Sequence, residues 1–413
     1  MTKTVFFAFS GTRRRMYAGP LGPHVDEFIV WLQQQHYTQH SIRCKIRVIA
    51  DFSRWLNRRH LGADAADAER VRHFLEHRER TSGCTPGDFS ALRQMADVLV
   101  RKQLLHQWSV APALSELEQV AQAFRTHLLQ DQGLRPSTPT CYIRHISRFL
   151  RERFEDGFAR FDGLGSADVI GFIRRDTQGQ SYSRAQQTLT AMNAFLRYLR
   201  LRGLIAVDLA ACVPKAAHWS LAQLPVFLRA DQITRVLKRC DRKSAIGRRD
   251  YAVLLLLARL GLRAGEVAAL TLDQIDWPHG VLTLRGKGGQ WTQMPLPQDV
   301  GEAIVDYLRV GRPLCADRHL FVRVKAPRRG FLGATPISII ASRALSRARI
   351  IHPRTGAHVF RHALATEMLR QGASLSEIGR LLRHKHPDTT RIYAKVDLTA
   401  LQDLAMPWPG GAR

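Results

Sequence analysis

The chain has 413 residues and a strong excess of basic side chains, with 62 lysines and arginines against 35 aspartates and glutamates and a formal net charge of +27. A length of this order predicts two or three domains with hydrophobic cores of their own. The charge predicts a polyanionic partner, above all nucleic acid, unless the arginine excess only reflects genome composition.

The sequence shows no pattern typical of a secreted, membrane-spanning or disulfide-linked protein. The longest apolar run, residues 252–258, stops at Arg259 and is too short to cross a bilayer. The apolar residues 5–9 are too few for a signal core, and the arginines at 13–15 follow them instead of preceding them. Six cysteines are scattered singly, without a C-x-x-C pair, which favours reduced thiols over disulfides or a zinc knuckle. We therefore expect a cytoplasmic protein with no membrane partner.

The first two hundred residues have helical periodicity and contain a degenerate internal repeat of about 97 residues. Apolar residues stand 13 and 9 residues before a serine in each copy: Phe28 and Leu32 before Ser41, and Phe124 and Leu128 before Ser137. Further apolar positions correspond in the same way, among them Phe74 with Phe172 and Met95 with Met192. Chance agreement between amphipathic helices is the alternative. The repeat predicts one helical unit used twice, here called the first copy (within residues 1–112) and the second copy (within residues 113–213).

A linker and an apolar helix are predicted next. Residues 214–228 mix proline, alanine, lysine and isolated apolar side chains without a period, which predicts an interdomain linker. The apolar stretch 250–260 then predicts a helix that ends at Gly261. A hinge at the linker would let two domains close around a duplex.

A hairpin follows, and the rest of the chain is predicted to be helical. Residues 281–285 and 291–296 have strand patterns and flank a glycine-rich turn that contains Lys287. Helices resume near Val300 and are expected to continue to the C-terminus. The predicted fold is therefore mainly α, with a small antiparallel β-hairpin or sheet in the C-terminal domain.

The stretch 358–393 carries side chains suited to attack on a phosphodiester. His358 and Arg361 are three residues apart, so that on a helix their side chains face one point. A capping-box pattern at Ser374 starts a second helix and leaves His384 near that helix's C-terminal end. Tyr393 follows nine residues after His384. The stretch thus places one tyrosine hydroxyl among fixed or titratable cations.

These motifs resemble those of the tyrosine recombinase (phage integrase) family. The pieces H-x-x-R-H, L-L-x-H and T-T-x-x-Y occur in the family's order between residues 358 and 393. The family's first arginine box is matched about a hundred residues upstream by residues 260–270, which include Arg263 and Glu266. The resemblance covers about residues 117–395, and three motifs in the right order make it specific.

The resemblance implies a domain organisation. Residues 113–213 would be a helical, SAM-like core-binding domain that contacts DNA, and residues 229–413 a tyrosine-recombinase catalytic domain. Residues 214–228 would link them. Residues 1–112 would form an extra N-terminal helical domain, a core-binding-like repeat that minimal recombinases lack and that would bind further DNA or a neighbouring protomer.

The resemblance also implies six catalytic residues: Arg263, Lys287, His358, Arg361, His384 and Tyr393. Two guanidiniums, Arg263 and Arg361, would clamp the scissile phosphate, because their paired donors match its oxygens. Lys287, which lies 24 residues after Arg263, would protonate the leaving 5′ oxygen. Tyr393 would be the nucleophile.

The remaining site residues are expected to support these four. His358 would position or deprotonate Tyr393, and His384 would donate a hydrogen bond to the phosphate. Glu266 would orient Arg263. His362 is expected only to support the site, packed beneath it.

Each assignment has a structural alternative. Arg263 could form an ordinary salt bridge with Glu266, Lys287 could be a solvated turn residue, and Tyr393 could be a surface or core side chain. His358 and His362 also have the i, i+4 spacing of a metal-binding helix. Zinc would need a third ligand, however, and Arg361 between the two histidines opposes a metal cation, so no metal and no cofactor are expected.

The sequence departs from the family pattern at two positions. Arg383 stands where a glycine usually precedes the histidine of the third box, and Glu367 where a histidine is common. Arg383 is expected either to change how the helix end approaches the phosphate or to add a phosphate contact. Neither departure affects the six catalytic positions.

The resemblance therefore implies a site-specific recombinase that cuts and rejoins DNA through a 3′-phosphotyrosine intermediate. Its partners would be double-stranded DNA with specific recombination sites, three further protomers in a tetramer on DNA, and sister recombinases. The expected role is to integrate, excise or transpose a mobile element. A Xer-like resolvase of chromosome or plasmid dimers, a non-catalytic DNA-binding relative and a metal-dependent nuclease are the alternatives.

Overall fold

The computed structural model describes residues 10–105, 115–214, 227–286, 290–384, 386, 388–391 and 393, and most of them are helical. The helices of the N-terminal half are α1 Ser10–Met16, α2 Val25–Gln34, α3 Gln39–Asn57, α4 Ala68–Ser82, α5 Pro86–Arg101, α6 Glu116–Gln130, α7 Ser137–Arg153, α8 Ser166–Thr177 and α9 Tyr182–Leu201. Those that follow are α10 Ala230–Lys238, α11 Ala245–Arg259, α12 Ala264–Ala269, α13 Gln298–Asp306, α14 Thr335–Arg347, α15 His358–Arg370, α16 Leu375–Leu381 and α17 Asp388–Arg391. In the described part of the chain, no helix is long and apolar enough to cross a membrane.

The described residues group into two compact units. One contains those of residues 1–63, 85–99 and 221–413, and the other those of residues 64–84 and 100–220. The four-part domain organisation expected from the sequence stays a prediction, and most of the expected linker, residues 215–226, lies outside the described residues.

The internal repeat is matched by a repeat in the order of the helices. Helices α2 to α5 are followed by α6 to α9, and each of α3, α4 and α5 begins 96 to 98 residues before its counterpart. The corresponding apolar residues are buried in both copies: Phe28 and Phe124, Phe52 and Phe149, Phe74 and Phe172, and Met95 and Met192. Burial at matching positions explains why the apolar pattern recurs.

Aromatic rings fill the core of the second copy. Phe124 packs edge-on against Phe195 with ring centroids 5.1 Å apart, and Phe149 packs in the same way against Phe172 at 5.2 Å. Edge-to-face packing of this kind is a favoured arrangement of aromatic pairs. It connects α6 and α7 to α8 and α9.

The sheet has three antiparallel strands in the order β1 Ile275–Asp276, β2 Val281–Arg285 and β3 Trp291–Pro295. In the hairpin, Leu282 pairs with Met294 and Arg285 with Trp291. The predicted hairpin is confirmed, but β1 is too short to show a strand period and was not predicted. Leu282 and Leu284 are buried in the core that surrounds α11, and this packing anchors the hairpin to that helix.

Helix α11 ends where the sequence predicts and begins earlier. Ser244 caps its N-terminus by accepting a hydrogen bond from the backbone N–H of Gly247 at 3.1 Å. At the other end Gly261 has a φ of +56°, and a Cβ there would lie within about 3 Å of the Leu364 and Leu382 side chains. Glycine is thus required both by the turn and by the close approach of α15 and α16.

Residues 312–334 contain no α-helix, so the prediction that helices continue from Val300 to the C-terminus is wrong for this segment. The guanidinium of Arg312 donates to the backbone carbonyls of Asp317 at 2.5 Å and His319 at 2.9 Å. The carboxylate of Asp317 accepts from the backbone N–H groups of His319 at 2.8 Å and Gly330 at 2.7 Å. These side-chain bonds satisfy the backbone groups of an irregular segment.

Candidate active site

Arg263 and Glu266 form a closed pair at the start of α12. The backbone N–H of Arg263 donates to Oε2 of Glu266 at 2.9 Å, and Nη1 of Arg263 donates to Oε1 at 2.8 Å. The second guanidinium nitrogen, Nη2, donates to the backbone carbonyl of Arg383 at 3.2 Å. Glu266 therefore fixes both the backbone and the side chain of Arg263. This contact is expected both if Glu266 orients a catalytic Arg263 and if the two form an ordinary salt bridge.

Arg383 brings a second guanidinium to the same carboxylate. Its Nη2 donates to Oε2 of Glu266 at 2.8 Å, and its Nη1 lies 3.1 Å from the sulfur of Met294 on β3. The side chain is only 9% exposed. Its backbone has a φ of +54°, in the left-handed region that glycine adopts most easily, which accounts for the glycine usual in the family motif.

The side chain of Arg383 bonds to Glu266, so its expected contact with phosphate stays a prediction. Its guanidinium donates to the carboxylate of Glu266, and its backbone carbonyl accepts a hydrogen bond from the guanidinium of Arg263. Burial alone would raise the pKa of Glu266, but the Arg383 charge and the hydrogen bonds from Arg263 outweigh it, and the pKa is lowered. Glu266 is thus a stable carboxylate shared between two arginines.

Arg361 is a buried cation that joins three parts of the chain. It lies on α15, and its Nη1 donates to the backbone carbonyl of Gly261 at 2.5 Å. Its Nη2 donates to the backbone carbonyl of Leu382, at the end of α16. Burial, with the charges of Arg263 and Arg383, lowers its pKa to about 10. A buried cation among other cations is a favourable place for an anionic ligand.

His358 lies at the N-terminus of α15, in the electrostatic field of the same arginines. Burial, then the charges of Arg361 and Arg263, lower its pKa. The imidazole is therefore neutral at pH 7 and offers one donor and one acceptor nitrogen. His358 thus lies in the field of Arg263 and Arg361, and its role in the reaction stays a prediction.

Tyr393 lies next to His362. Its hydroxyl is 2.9 Å from Nδ1 of His362, and its ring is parallel to that of His384 with centroids 6.5 Å apart. The side chain is 1% exposed and packs against Ile378 and Leu382. Burial raises its pKa to about 12, although the Arg361 charge opposes the change.

His362, and not His358, is the histidine in contact with the tyrosine hydroxyl, and the expected role of His358 toward Tyr393 stays a prediction. The two rings stack one helical turn apart, with centroids at 5.8 Å, so either could have faced the tyrosine. The H-x-x-R-H motif contains both histidines, but it does not specify how α15 is rotated toward Tyr393. With the hydroxyl buried against His362, attack on a phosphate requires Tyr393 to be uncovered.

His384 follows α16 and contacts the next helix. Its Nδ1 lies 2.7 Å from Oγ1 of Thr390 on α17. Burial, then the charges of Arg361 and Arg263, lower its pKa to about 4. His384 is therefore neutral, and contact with Thr390 at Nδ1 leaves Nε2 for a ligand.

Lys287 lies outside the described residues, and so do the residues after Tyr393. The described base of its hairpin is closed by the backbone N–H of Gly286, which donates to the carbonyl of Gln290 at 2.8 Å. As for metals, no group of three histidines, cysteines or carboxylates that could hold an ion is found among the described residues. His358 and His362 thus lack a third ligand there.

We expect the protein to lose stability as the pH falls from about 6.5 to 4. Burial, then the neighbouring His358 charge, lower the pKa of His362 from 6.5 to about 4. Between these two pH values the unfolded chain therefore binds a proton at His362 and the folded chain does not. The stabilising contribution is full above pH 6.5 and is lost as the pH falls toward the folded value. Urea unfolding at a series of pH values measures it. His362→Gln should flatten the decline and His73→Gln, on the exposed face of α4, should not; equal slopes in all three proteins contradict the assignment.

Comparison with known proteins finds integrases and recombinases among the chains similar to this one. The model of the phage integrase family matches residues 226–399. A putative integrase/recombinase of Sinorhizobium fredii, y4rA, is 43% identical over 96% of this chain and 96% of its own. The tyrosine recombinase XerC of Lacticaseibacillus casei is 28% identical over 69% of this chain and 97% of its own. Among solved structures, the XerH site-specific recombinase bound to palindromic difH substrate, a post-cleavage complex, has a TM-score of 0.56 at 17% identity and covers 82% of this chain and 94% of its own.

Proposed function

This chain belongs to the phage integrase family of tyrosine recombinases, and from that premise we propose that it breaks and rejoins DNA strands at specific sites through a covalent bond to Tyr393. The phenolic oxygen attacks the scissile phosphorus, and the bond from phosphorus to the 5′ oxygen breaks. The products are a 3′-phosphotyrosyl link and a 5′ hydroxyl. Attack by the 5′ hydroxyl of another strand reverses the step and releases the tyrosine, so the bond energy is retained.

The observation that carries this proposal is that Arg263 and Arg361 donate to the adjacent backbone carbonyls of Arg383 and Leu382, and that Leu382 packs with the buried Tyr393. Arg361 and Arg263 come from segments about a hundred residues apart, and their mutual repulsion contributes to the low pKa of Arg361. A phosphate between them would relieve that repulsion, and more so as charge develops on its oxygens. We therefore assign the two guanidiniums to the non-bridging oxygens.

The histidines fit supporting roles in the same reaction. His384 would donate from Nε2 to the phosphate if Thr390 donates to its Nδ1. His358, neutral and close to both arginines, would hold the phosphate or accept the phenolic proton. His362 would hold Tyr393 before attack. Lys287 stays the proposed acid for the leaving 5′ oxygen.

We assign the recombinase to a mobile element, with duplex DNA as partner and a tetramer on two sites as the active assembly. Support comes from the 43% identity with y4rA over nearly the whole of both chains, a length that the XerC relative does not share. The XerC relatives and the XerH likeness support a second candidate, a resolvase of chromosome or plasmid dimers. The two candidates are separated by comparing cleavage of two DNA substrates. A mobile-element recombinase should cleave the ends of the element, and a resolvase should cleave resolution sites carried on a plasmid or chromosome.

The test is covalent trapping on DNA. A cognate site is first selected from random duplexes by binding, and a nicked version of it then traps the cleaved strand on the protein. We expect wild type to form the complex, in EDTA as in buffer, and Tyr393→Phe to bind DNA but form none. Tyr251→Phe is the matched control, because the ring of that tyrosine packs under the guanidinium of Arg242 at 4.6 Å and is assigned no role in the reaction. The proposal fails if folded, DNA-bound wild type forms no complex, or if Tyr393→Phe forms as much as wild type.

A further inference from the structure

The two copies of the helical repeat share more than a core. At a spacing of 97 residues, six of the eleven residues from Cys44 to Arg54 are identical to those from Cys141 to Arg151. The shared Phe52 and Phe149 are buried, as packing requires. Arg47 and Arg144 are exposed in both copies, on α3 and α7, so core packing does not explain why they correspond.

Exposed side chains form a basic stripe along the first three turns of α3. His40, Arg43, Cys44 and Arg47 are all exposed, and their spacing of three, four and seven residues places them on one face. No carboxylate occurs from residue 39 to residue 50. Among the described residues, neither Arg43 nor Arg47 has an ion-pair partner. We call this face the α3 stripe.

We propose that the α3 stripe binds duplex DNA, so that the first copy adds a DNA-contacting helix to the DNA contact expected of residues 113–213. The inference rests on the proposed function, because it extends the DNA partner of the same enzyme. Residues 39–59 contain six arginines and lysines against one aspartate, which favours contact with phosphates. Arg43 and Arg47 are about 6 Å apart along the helix, whose overall diameter of about 10–12 Å fits a major groove about 12 Å wide.

A neighbouring protomer is the weaker candidate for this surface. Each protomer has a formal net charge of +27, so a cationic stripe gains less from a like-charged protomer than from the phosphates of DNA. Protein interfaces are also poor in charge and rich in aromatic side chains at their centre, and the stripe has no aromatic or large aliphatic side chain. Two helices of one chain on one duplex would instead lengthen the bound site and strengthen binding through a high effective concentration.

The test compares the full chain with two charge-matched double variants. Arg43→Glu/Arg47→Glu changes the stripe, and Arg72→Glu/Arg93→Glu changes two exposed arginines on other helices by the same charge. Binding is measured on the selected site alone and on the site flanked on each side by two helical turns, about 21 bp. We expect the stripe variant to weaken binding to the flanked duplex at least tenfold, against less than threefold for the control, and to shorten the protected region. The salt dependence should flatten by about 1.8 for two lost phosphates.

Three outcomes would overturn the proposal. Equal losses in the two double variants mean that only net charge matters, and an unchanged protected region means that the stripe does not touch DNA. Loss of tetramer assembly with normal binding would assign the stripe to a neighbouring protomer. Arg43→Gln/Arg47→Gln, with helicity checked by circular dichroism, separates lost charge from misfolding. Covalent trapping on the site alone, at saturating protein, should stay normal in every variant, so a failure there concerns the proposed function and not the stripe.

Discussion

Glu266→Gln is expected to lower the free energy of unfolding by about 3–5 kcal/mol, the range for breaking a buried ion pair from one side. The carboxylate is 6% exposed and is shared by Arg263 and Arg383, so a neutral amide leaves a buried guanidinium without its counter-charge. Because the pKa of Glu266 lies below 4.5 in the folded chain, the loss should be full above pH 4.5 and shrink as the pH falls through the folded value. Urea unfolding measures it.

A matched control and a rescue make this prediction specific. Glu302→Gln changes an exposed glutamate on α13 and should have an effect below about 0.5 kcal/mol. Adding Arg383→Gly to Glu266→Gln should restore part of the lost stability, because the unpaired guanidinium disappears and glycine relieves the φ of +54°. If Glu266→Gln behaves like Glu302→Gln, the shared carboxylate does not stabilise the site.

Arg361→Lys is expected to slow formation of the covalent DNA complex by about 100- to 1000-fold, as when a preorganised donor to a developing oxyanion is lost. A lysine ammonium is a point charge and cannot reproduce the paired donors with which Arg361 reaches the carbonyls of Gly261 and Leu382. Single-turnover trapping on the nicked site gives the rate.

Binding and stability must be measured beside that rate. Arg370→Lys, an exposed position on the last turn of the same helix, is the control and should cleave at the wild-type rate. If Arg361→Lys is folded and saturated with DNA under the conditions of the assay while cleavage falls, the guanidinium acts in the reaction. Cleavage within a few-fold of wild type would remove Arg361 from the proposed clamp.

Local sequence signals predicted the elements that hold the site. The Ser374–Glu377 capping box is present, with each partner bonded to the other's backbone, and starts α16 as predicted. The β2–β3 hairpin forms from the two predicted strands around the glycine-rich turn. These features depend on residues a few positions apart, which is why one sequence suffices to predict them.

Contacts between distant segments could not be predicted in the same way. The bond from Arg383 to Glu266 spans 117 residues, and no local pattern indicates that a residue in place of a glycine turns its side chain into a buried ion pair. The choice of His362 over His358 as the neighbour of Tyr393 depends on the rotation of α15. Residues 312–334 are irregular because Arg312 and Asp317 bond to backbone groups, which apolar periodicity does not register.

Because Arg361 bonds to the backbone of Gly261 and Leu382, the proposed cleavage of DNA depends on these segments being folded. The side chain proposed to bind the phosphate also holds the turn after α11 to the end of α16. A chain that is incompletely folded on the ribosome, or partly denatured by heat, would lack both the contacts of Arg361 with these carbonyls and its position for binding phosphate. Such a chain could still adhere to the genome through its positive charge, but it would leave the strands unbroken.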